Sequence, residues 1–176
     1  WMNTDWTGKI VIVTGGAGGM GQAAARLFAE AGAMTFVFGR TIESLRETAK
    51  LSELIIPMRC DVSDSASVKS ALDEVLLKGA PDVLVHTAGI NTPDRFMAHA
   101  DPIRVASEAT WQQVMDINVL GVVNMIHAVS GPMAERGHGK IVVVSSTAGH
   151  GFYSYAGVPY TASKWAVHGL LFTARA

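Results

Sequence analysis

Cysteine occurs once in the 176 residues, at Cys60. One thiol cannot build a disulfide framework, so a stapled secreted scaffold is excluded and a reducing cytosol fits best. The expected place for Cys60 is a small buried core position. Charge of one sign is also lacking: 14 basic residues face 15 acidic ones, for a net charge of −1. That balance gives no electrostatic reason to expect nucleic acid or an anionic membrane as partner. No apolar run approaches the roughly 18–20 residues that span a bilayer. No secretory signal is visible, because the apolar segment near the start is short and runs into glycines. The six histidines show no spacing such as H-E-x-x-H, so no metal site is expected. Linkers, repeats and low-complexity segments are missing too, which predicts one domain over residues 1–176. The chain begins at Trp1 with Met2 behind it and ends at "FTARA" in mid-pattern. Met2 reads as the natural start, and the far end reads as cut.

What is present is a core: 49% of the residues are hydrophobic, a globular composition. "KIVIVTGG" (9–16) reads as a buried strand ending in glycines. "GQAAARLFAEAG" follows as a helix, with Ala24, Leu27, Phe28 and Ala31 on its inner face and Gly32 as its stop. "MTFVFGR" is a second strand, and "TIESLRETAK" a helix opened by Thr41, with Ser44 placed as a capping partner. "LIIPMRCDV" is a third strand whose Pro57 fits an edge position. "SDSASVKSALDEVLLKG" is a helix with favourable N-terminal residues, and "DVLVHTAG" a fourth strand. A loop over 90–106 contains Pro93 and Pro102. A long helix over 107–133 is expected to end at Gly131-Pro132. "KIVVVSSTAG" is the fifth strand. A glycine- and aromatic-rich loop leads to a last helix with Pro159 in its first turn. The eight methionines and Trp111 are expected as core filler. Strands alternating with helices predict βαβ units with right-handed crossovers.

"TGGAGGMG" (14–21) directly follows the first strand and opens the first helix. Glycines let a diphosphate approach the backbone, and the helix N-terminus offers free N–H groups at a positive dipole end. This context makes a nucleotide-binding loop of what would otherwise be a glycine-rich turn.

Read as T-G-x-x-x-G-x-G, the match falls on Thr14, Gly15, Gly19 and Gly21. In this spacing the chain resembles the short-chain dehydrogenase/reductase family in its common form. The resemblance implies an α/β fold with a Rossmann-like doubly wound parallel sheet, lacking its last strands here. It implies cofactor contacts at Gly15, Ala17, Gly18, Gly19, Met20 and Gly21. It places an adenine-contacting acid at Asp61 in "CDVSD", with Val62 beside it. It places Ala88 and Gly89 at the end of the fourth strand, where His86 and Thr87 stand in for two asparagines usual in the family. Of these, His86 reads better as a structural than as a catalytic residue. Asn118 in "INVLG" falls where the family bends its helix and holds a water next to the lysine. Of "SSTAG", Ser146 is the catalytic candidate and Ser145 is expected to face the cofactor.

In "VPYTASKW", Tyr160 and Lys164 are four apart and share one helix face. A free tyrosine ionises near pH 10, and a nearby ammonium favours its phenolate. Such a hydroxyl can give a proton to a carbonyl or take one from an alcohol. Tyr153 and Tyr155 have no lysine four residues on. The family resemblance adds a contact of Lys164 with the nicotinamide ribose. At the end of the second strand, where NAD-specific sites carry an acid, "FGRT" has Gly39 and then Arg40. An arginine there can fork onto a 2′-phosphate, which favours NADP(H) over NAD(H); Gly18, where NADP-dependent relatives often carry a basic residue, is the counterweight.

The expectation is therefore a cytoplasmic oxidoreductase acting between an alcohol or ketone and a nicotinamide dinucleotide. The alternatives are a dinucleotide sensor or an inactive truncated product on the same fold. Ala162, Ala166 and Gly169 lie near one stripe of the last helix. The family implies homodimers or homotetramers through this helix and the Trp111–Val129 helix. Family members normally continue for several further elements that govern substrate choice and cover the sheet.

Overall fold

The computed structural model describes residues 5–91, 106–151 and 156–174. The prolines Pro93 and Pro102, and the tyrosines Tyr153 and Tyr155, lie outside the described residues. Five strands form one parallel sheet: β1 (Ile10–Thr14), β2 (Met34–Gly39), β3 (Ile55–Arg59), β4 (Val83–His86) and β5 (Lys140–Val143). Their order is β3-β2-β1-β4-β5, which reverses direction between β1 and β4, the switch point of a doubly wound sheet. The helices are α1 (Gly19–Glu30), α2 (Ile42–Ala49), α3 (Ser65–Leu76), α4 (Glu108–Met115), α5 (Gly121–Glu135) and α6 (Val158–Thr173). A π-turn over Asp116–Leu120 joins α4 to α5, and a 3-10 turn occupies Thr147–Gly149.

The described chain separates into two compact units. The first contains the residues up to Ala88 and Val123–Val144, and so the whole sheet with α1, α2, α3 and most of α5. The second contains Gly89–Val122 and the residues from Ser145 on, with α4, the π-turn, the 3-10 turn and α6.

In the first unit, β1 is buried along its whole length and pairs on both sides, which is why it is a run of Ile and Val. Val11, Val13, Val37, Leu45, Val83 and Val85 form its core with Ala25 and Ala29 of α1. Each such aliphatic side chain, once fully buried, contributes about 1.5–3 kcal/mol. β3 is an edge strand, as Pro57 foretold. Its neighbour β2 pairs with it from Thr35–Ile55 to Gly39–Arg59. The other edge, β5, leaves Ile141 and Val142 exposed.

Five expectations need correction. The inner face of α1 is Gly21, Ala25 and Ala29, with Ala24 and Phe28 packed at its side, while Leu27 is exposed. A helix lying close on a sheet accepts only its smallest residues in the contact line. Thr41 does precede α2, but its side chain makes no capping bond. Pro132 lies inside α5 and does not end it. Pro removes one late helical bond, and the stop comes at Gly137 (φ +78), where His138 N–H donates to Met133 C=O and Gly137 N–H to Ala134 C=O. Glu108–Glu135 is also one helical run of 28 residues, long and apolar enough by length and composition to span a bilayer. Asp116, Asn118, Asn124 and His127 interrupt its sequence and hid that length from a search for a strictly apolar run. Met20 departs from the core-filler reading, being exposed. Cys60 is buried, and burial pushes its thiol up to about 12.

At the opposite end of the sheet from the strand C-termini, Asp82 is a buried anion. It accepts from the Ile10 amide at 2.8 Å and meets Lys9 at 3.2 Å, Arg136 at 3.3 Å and His138 at 3.5 Å. Burial, the largest single effect, would raise its pKa. The Ile10 hydrogen bond, Lys9 and Arg136 together outweigh it, so the carboxyl sits below its usual range.

Candidate active site

The loop between β1 and α1 is shaped by two contacts that only glycine permits. Gly15 sits at φ +67, and an added Cβ would meet Thr87 Oγ1 at 2.8 Å and the Ala88 nitrogen at 3.0 Å. A Cβ on Gly21 would collide with the Gly15 carbonyl. Gly19, in contrast, has no atom within 4 Å of where its Cβ would lie. Ala17, Gly18, Gly19 and Met20 are exposed. α1 has no side-chain cap at Gly18 and no acid in its first turn. The amides of Gly19, Met20 and Gly21 therefore have no intrahelical acceptor and lie at a positive helix end, with open space beside Gly19. The loop is braced by Thr48, whose buried hydroxyl donates to the Gly16 carbonyl at 2.9 Å and accepts from Gln22 at 3.2 Å. Sequence reasoning did not single out Thr48, because nothing in its local pattern signals a bond to a loop 32 residues away.

His86 and Thr87 tie β4 to β1. Thr87 Oγ1 donates to the Thr14 carbonyl at 2.7 Å, and Thr14 Oγ1 accepts the Ala88 amide at 3.2 Å and meets His86 Nδ1 at 3.1 Å. The structural reading of His86 is the one its buried place supports.

Arg40, the residue after β2, lines a cleft of about 480 Å³ with Arg59, Asp61, Asp64 and Ser67. Asp61 is partly spent on local structure: its Oδ1 accepts from the Ser63 amide at 3.0 Å and hydroxyl at 2.6 Å. Asp64 caps α3 by accepting from the Ala66 amide. The Val62 carbonyl is fixed by Asn124 Nδ2 at 2.9 Å.

In the second unit Asn118 lies in the π-turn and is buried, which excludes a solvent-facing role. Its Oδ1 accepts the Ile90 amide at 2.8 Å, and its Nδ2 donates to the Ile90 carbonyl at 2.9 Å and to Ser163 Oγ at 3.0 Å. Ser163 in turn donates to the Tyr160 carbonyl at 2.6 Å. Asn118 is thus locked to the segment after β4 and to the first turn of α6. Ser163, fully buried, is a link the sequence reading missed; its only signal is a small polar residue just before the lysine.

Lys164 is buried, with Nζ 5.5 Å from the centre of the Tyr160 ring. Burial pushes its pKa below the ordinary lysine value. Gly89 packs here: a Cβ on it would come within 3.3 Å of Asn118 Oδ1 and 3.7 Å of Lys164 Nζ. Ser146 caps the 3-10 turn by accepting from the Ala148 amide at 3.1 Å. Its own O–H makes no bond among the described residues and remains a donor. That turn packs on α6, where a Cβ on Gly149 would meet the Lys164 carbonyl at 2.9 Å. Ser145 Oγ is buried with no hydrogen-bond partner among the described residues.

The profile of the short chain dehydrogenase family matches residues 9–176. The chain belongs to the short-chain dehydrogenase family. Within it, a 3-alpha-(or 20-beta)-hydroxysteroid dehydrogenase of Mycobacterium tuberculosis is 35% identical over 167 residues, covering 93% of this chain and 60% of that protein. A metagenomic short-chain oxidoreductase solved in complex with NADP superposes with a TM-score of 0.86 at 28% identity, over 97% of this chain and 76% of the other. A Brucella melitensis structure described as ribose-5-phosphate isomerase superposes with a TM-score of 0.87 at 31% identity, over 96% of this chain and 63% of the other. One fold thus carries differently described proteins, and function has to be argued from the site. This short-chain dehydrogenase chain spans between 55% and 65% of the length of the curated relatives it matches.

A nicotinamide dinucleotide fits the residues present. In the first unit, uncapped amides beside an open Gly19 suit a diphosphate, and Arg40 lines a cleft wide enough for a nucleoside.

Proposed function

We propose that the chain transfers a hydride between NADP(H), or less favourably NAD(H), and a small alcohol or ketone, as one functional domain over residues 1–176 in the cytoplasm. The observation that carries this reading is the buried Lys164 beside Tyr160, with Asn118 and Ser163 fixing the helix turn on which Tyr160 stands. Burying an ammonium is costly, and a structure retains one where its charge is used.

In this reading Gly15, Ala17, Gly18, Gly19, Met20 and Gly21 line the diphosphate site, with the uncapped amides of Gly19 and Met20 as donors. Arg40 takes the 2′-phosphate. Asp61 and Val62 hold the adenine, and Ala88 and Gly89 let the cofactor approach the backbone closely. Lys164 binds the nicotinamide ribose. The bound dinucleotide supplies the hydride in reduction and accepts it in oxidation. Ser146 donates its free O–H to the substrate oxygen. Tyr160 gives its proton to that oxygen in reduction and takes it back in oxidation, while Lys164 stabilises the phenolate between these events. Asn118 positions Tyr160 through Ser163. Exposed Leu120 and Trp165 suit the homodimer or homotetramer expected of the family.

Tyr160→Phe keeps the ring and removes the proton. Turnover of a ketone panel should vanish, while NADPH binding, read by cofactor fluorescence, should stay within about twofold of wild type. Surviving turnover would move the acid–base role elsewhere. Dinucleotide binding by a wild type that turns over no carbonyl would favour a sensor.

A further inference from the structure

Arg40 and Arg59 reach one cleft from neighbouring strands. β2 and β3 run parallel with Gly39 opposite Arg59, so Arg40 leaves the sheet beside the last residue of β3. Both arginines line the cleft of about 480 Å³ together with Asp61, Asp64 and Ser67. Lys9, Arg26, Lys50, Lys69 and Arg136 of the same unit each meet a carboxylate. Arg40 and Arg59, like Arg46, Lys78 and Lys140 of this unit, form no ion pair among the described residues, although two carboxylates line the cleft with them. One reason is that those carboxylates are committed to their own turns, Asp61 Oδ1 to Ser63 and Asp64 Oδ1 to the Ala66 amide.

We infer that Arg59 is a second reader of the dinucleotide's 2′-phosphate, forming with Arg40 the cation pair that selects NADP(H) over NAD(H). This deepens the proposed function and rests on it. A phosphate monoester carries about −1.5 to −2 charges near pH 7, more than one guanidinium neutralises. Two planar forks on neighbouring strands can take its three outer oxygens from two directions. The uncharged ribose diol of NAD(H) offers neither guanidinium an anion, so the pair adds affinity for its phosphorylated counterpart alone. Asp61 and Asp64 on the same wall repel the phosphate and accept N–H donors.

The test titrates the full chain and its Arg59→Gln, Arg40→Gln and double variants with NADPH and NADH by fluorescence. 2′,5′-ADP and 5′-AMP, followed by calorimetry, serve as fragments that need no nicotinamide site. Arg59→Gln should weaken NADPH and 2′,5′-ADP about tenfold and leave NADH and 5′-AMP within about twofold, the low end for a charge-assisted bond at an exposed site. Its melting temperature should match wild type, and Arg59→Lys should recover part of the loss. NADPH binding by Arg59→Gln at wild-type strength, or equal losses for both dinucleotides, would overturn the inference. A wild type that reduces ketones but binds NADPH no better than NADH leaves the hydride-transfer reading standing and removes this one. A wild type that binds neither dinucleotide removes both.

Discussion

Removing the Ser163 hydroxyl tests whether the Asn118 network is as coupled as its geometry implies. In Ser163→Ala the Tyr160 carbonyl keeps only its helical partner, and Asn118 Nδ2 keeps the Ile90 carbonyl but loses its second acceptor. The site is fully buried, so water cannot replace the missing oxygen without opening the packing. One unsatisfied buried N–H costs about 1–3 kcal/mol, and the void of a single oxygen adds little. We expect a loss of about 1–2 kcal/mol, or about 2–8 °C in Tm for a chain of this size. Asn118→Ala removes the other partner, and a double-mutant cycle with Ser163→Ala should show a coupling of about 1 kcal/mol. Additive losses would refute the link. The functional part separates a positioning role from a merely structural one. In Ser163→Ala, kcat for ketone reduction should fall about tenfold with the KM for NADPH unchanged, since the glycine loop proposed to hold the diphosphate is left intact. Ser163→Cys, which keeps a weak donor, should recover part of kcat. A stability loss with kcat intact would make Ser163 structural only.

Gly15→Ala forces a side chain into positive φ against Thr87 and the Ala88 backbone. It should cost about 2–4 kcal/mol in thermal unfolding, and a loss below about 0.5 kcal/mol would contradict the close approach of β1 to β4. Asp82→Asn should cost about 1–3 kcal/mol at pH 7, discounted because Lys9 is half exposed and screened by solvent. The Asp82 carboxyl has its pKa lowered in the fold, so its contribution is complete above the ordinary aspartate value of 3.8 and is lost as pH falls through the folded value. The gap between wild type and Asp82→Asn should therefore close below that value, and a gap that persists in strong acid would sink the assignment. Lys164 behaves in the opposite sense. Its folded pKa is depressed, so the buried ammonium costs stability at neutral pH, and that cost is relieved as pH rises toward 10.5. Lys164→Met should abolish turnover yet melt no lower than wild type at pH 7, with the difference shrinking in alkali; a clearly lower melt would show that partners of Lys164 outweigh its desolvation.

The parts of the molecule legible in the sequence are those written in local pattern. Buried parallel strands are uninterrupted Val and Ile runs, as β1 shows, and an edge strand can carry Pro57 because one side of it makes no ladder. The helix stop at Gly32 was equally visible. Features that depend on distant packing were not. Leu27 follows helical apolar spacing, yet the close approach of α1 to the sheet reserves the inner line for Gly21, Ala25 and Ala29. Asn118 was legible as an unusual mid-helix residue, but the π-turn that admits its side chain to Ile90 and Ser163 has no sequence signature of its own. Arg59 could be found only through register, since nothing before the pairing of Gly39 with Arg59 sets it beside Arg40.

The end of β4 shows how a departure from the family pattern can keep its role. Two asparagines would supply amides that donate and accept across the β1–β4 gap. Here the work is divided: Thr87 donates to the Thr14 carbonyl, the Thr14 hydroxyl accepts the Ala88 amide, and His86 Nδ1 takes the remaining bond to that hydroxyl. The same Thr87 Oγ1 is the atom that a Cβ on Gly15 would strike. The substitution of threonine for asparagine and the requirement for glycine at position 15 are thus one constraint seen from two strands. It holds the turn of the glycine loop against the strand end after which Ala88 and Gly89 follow.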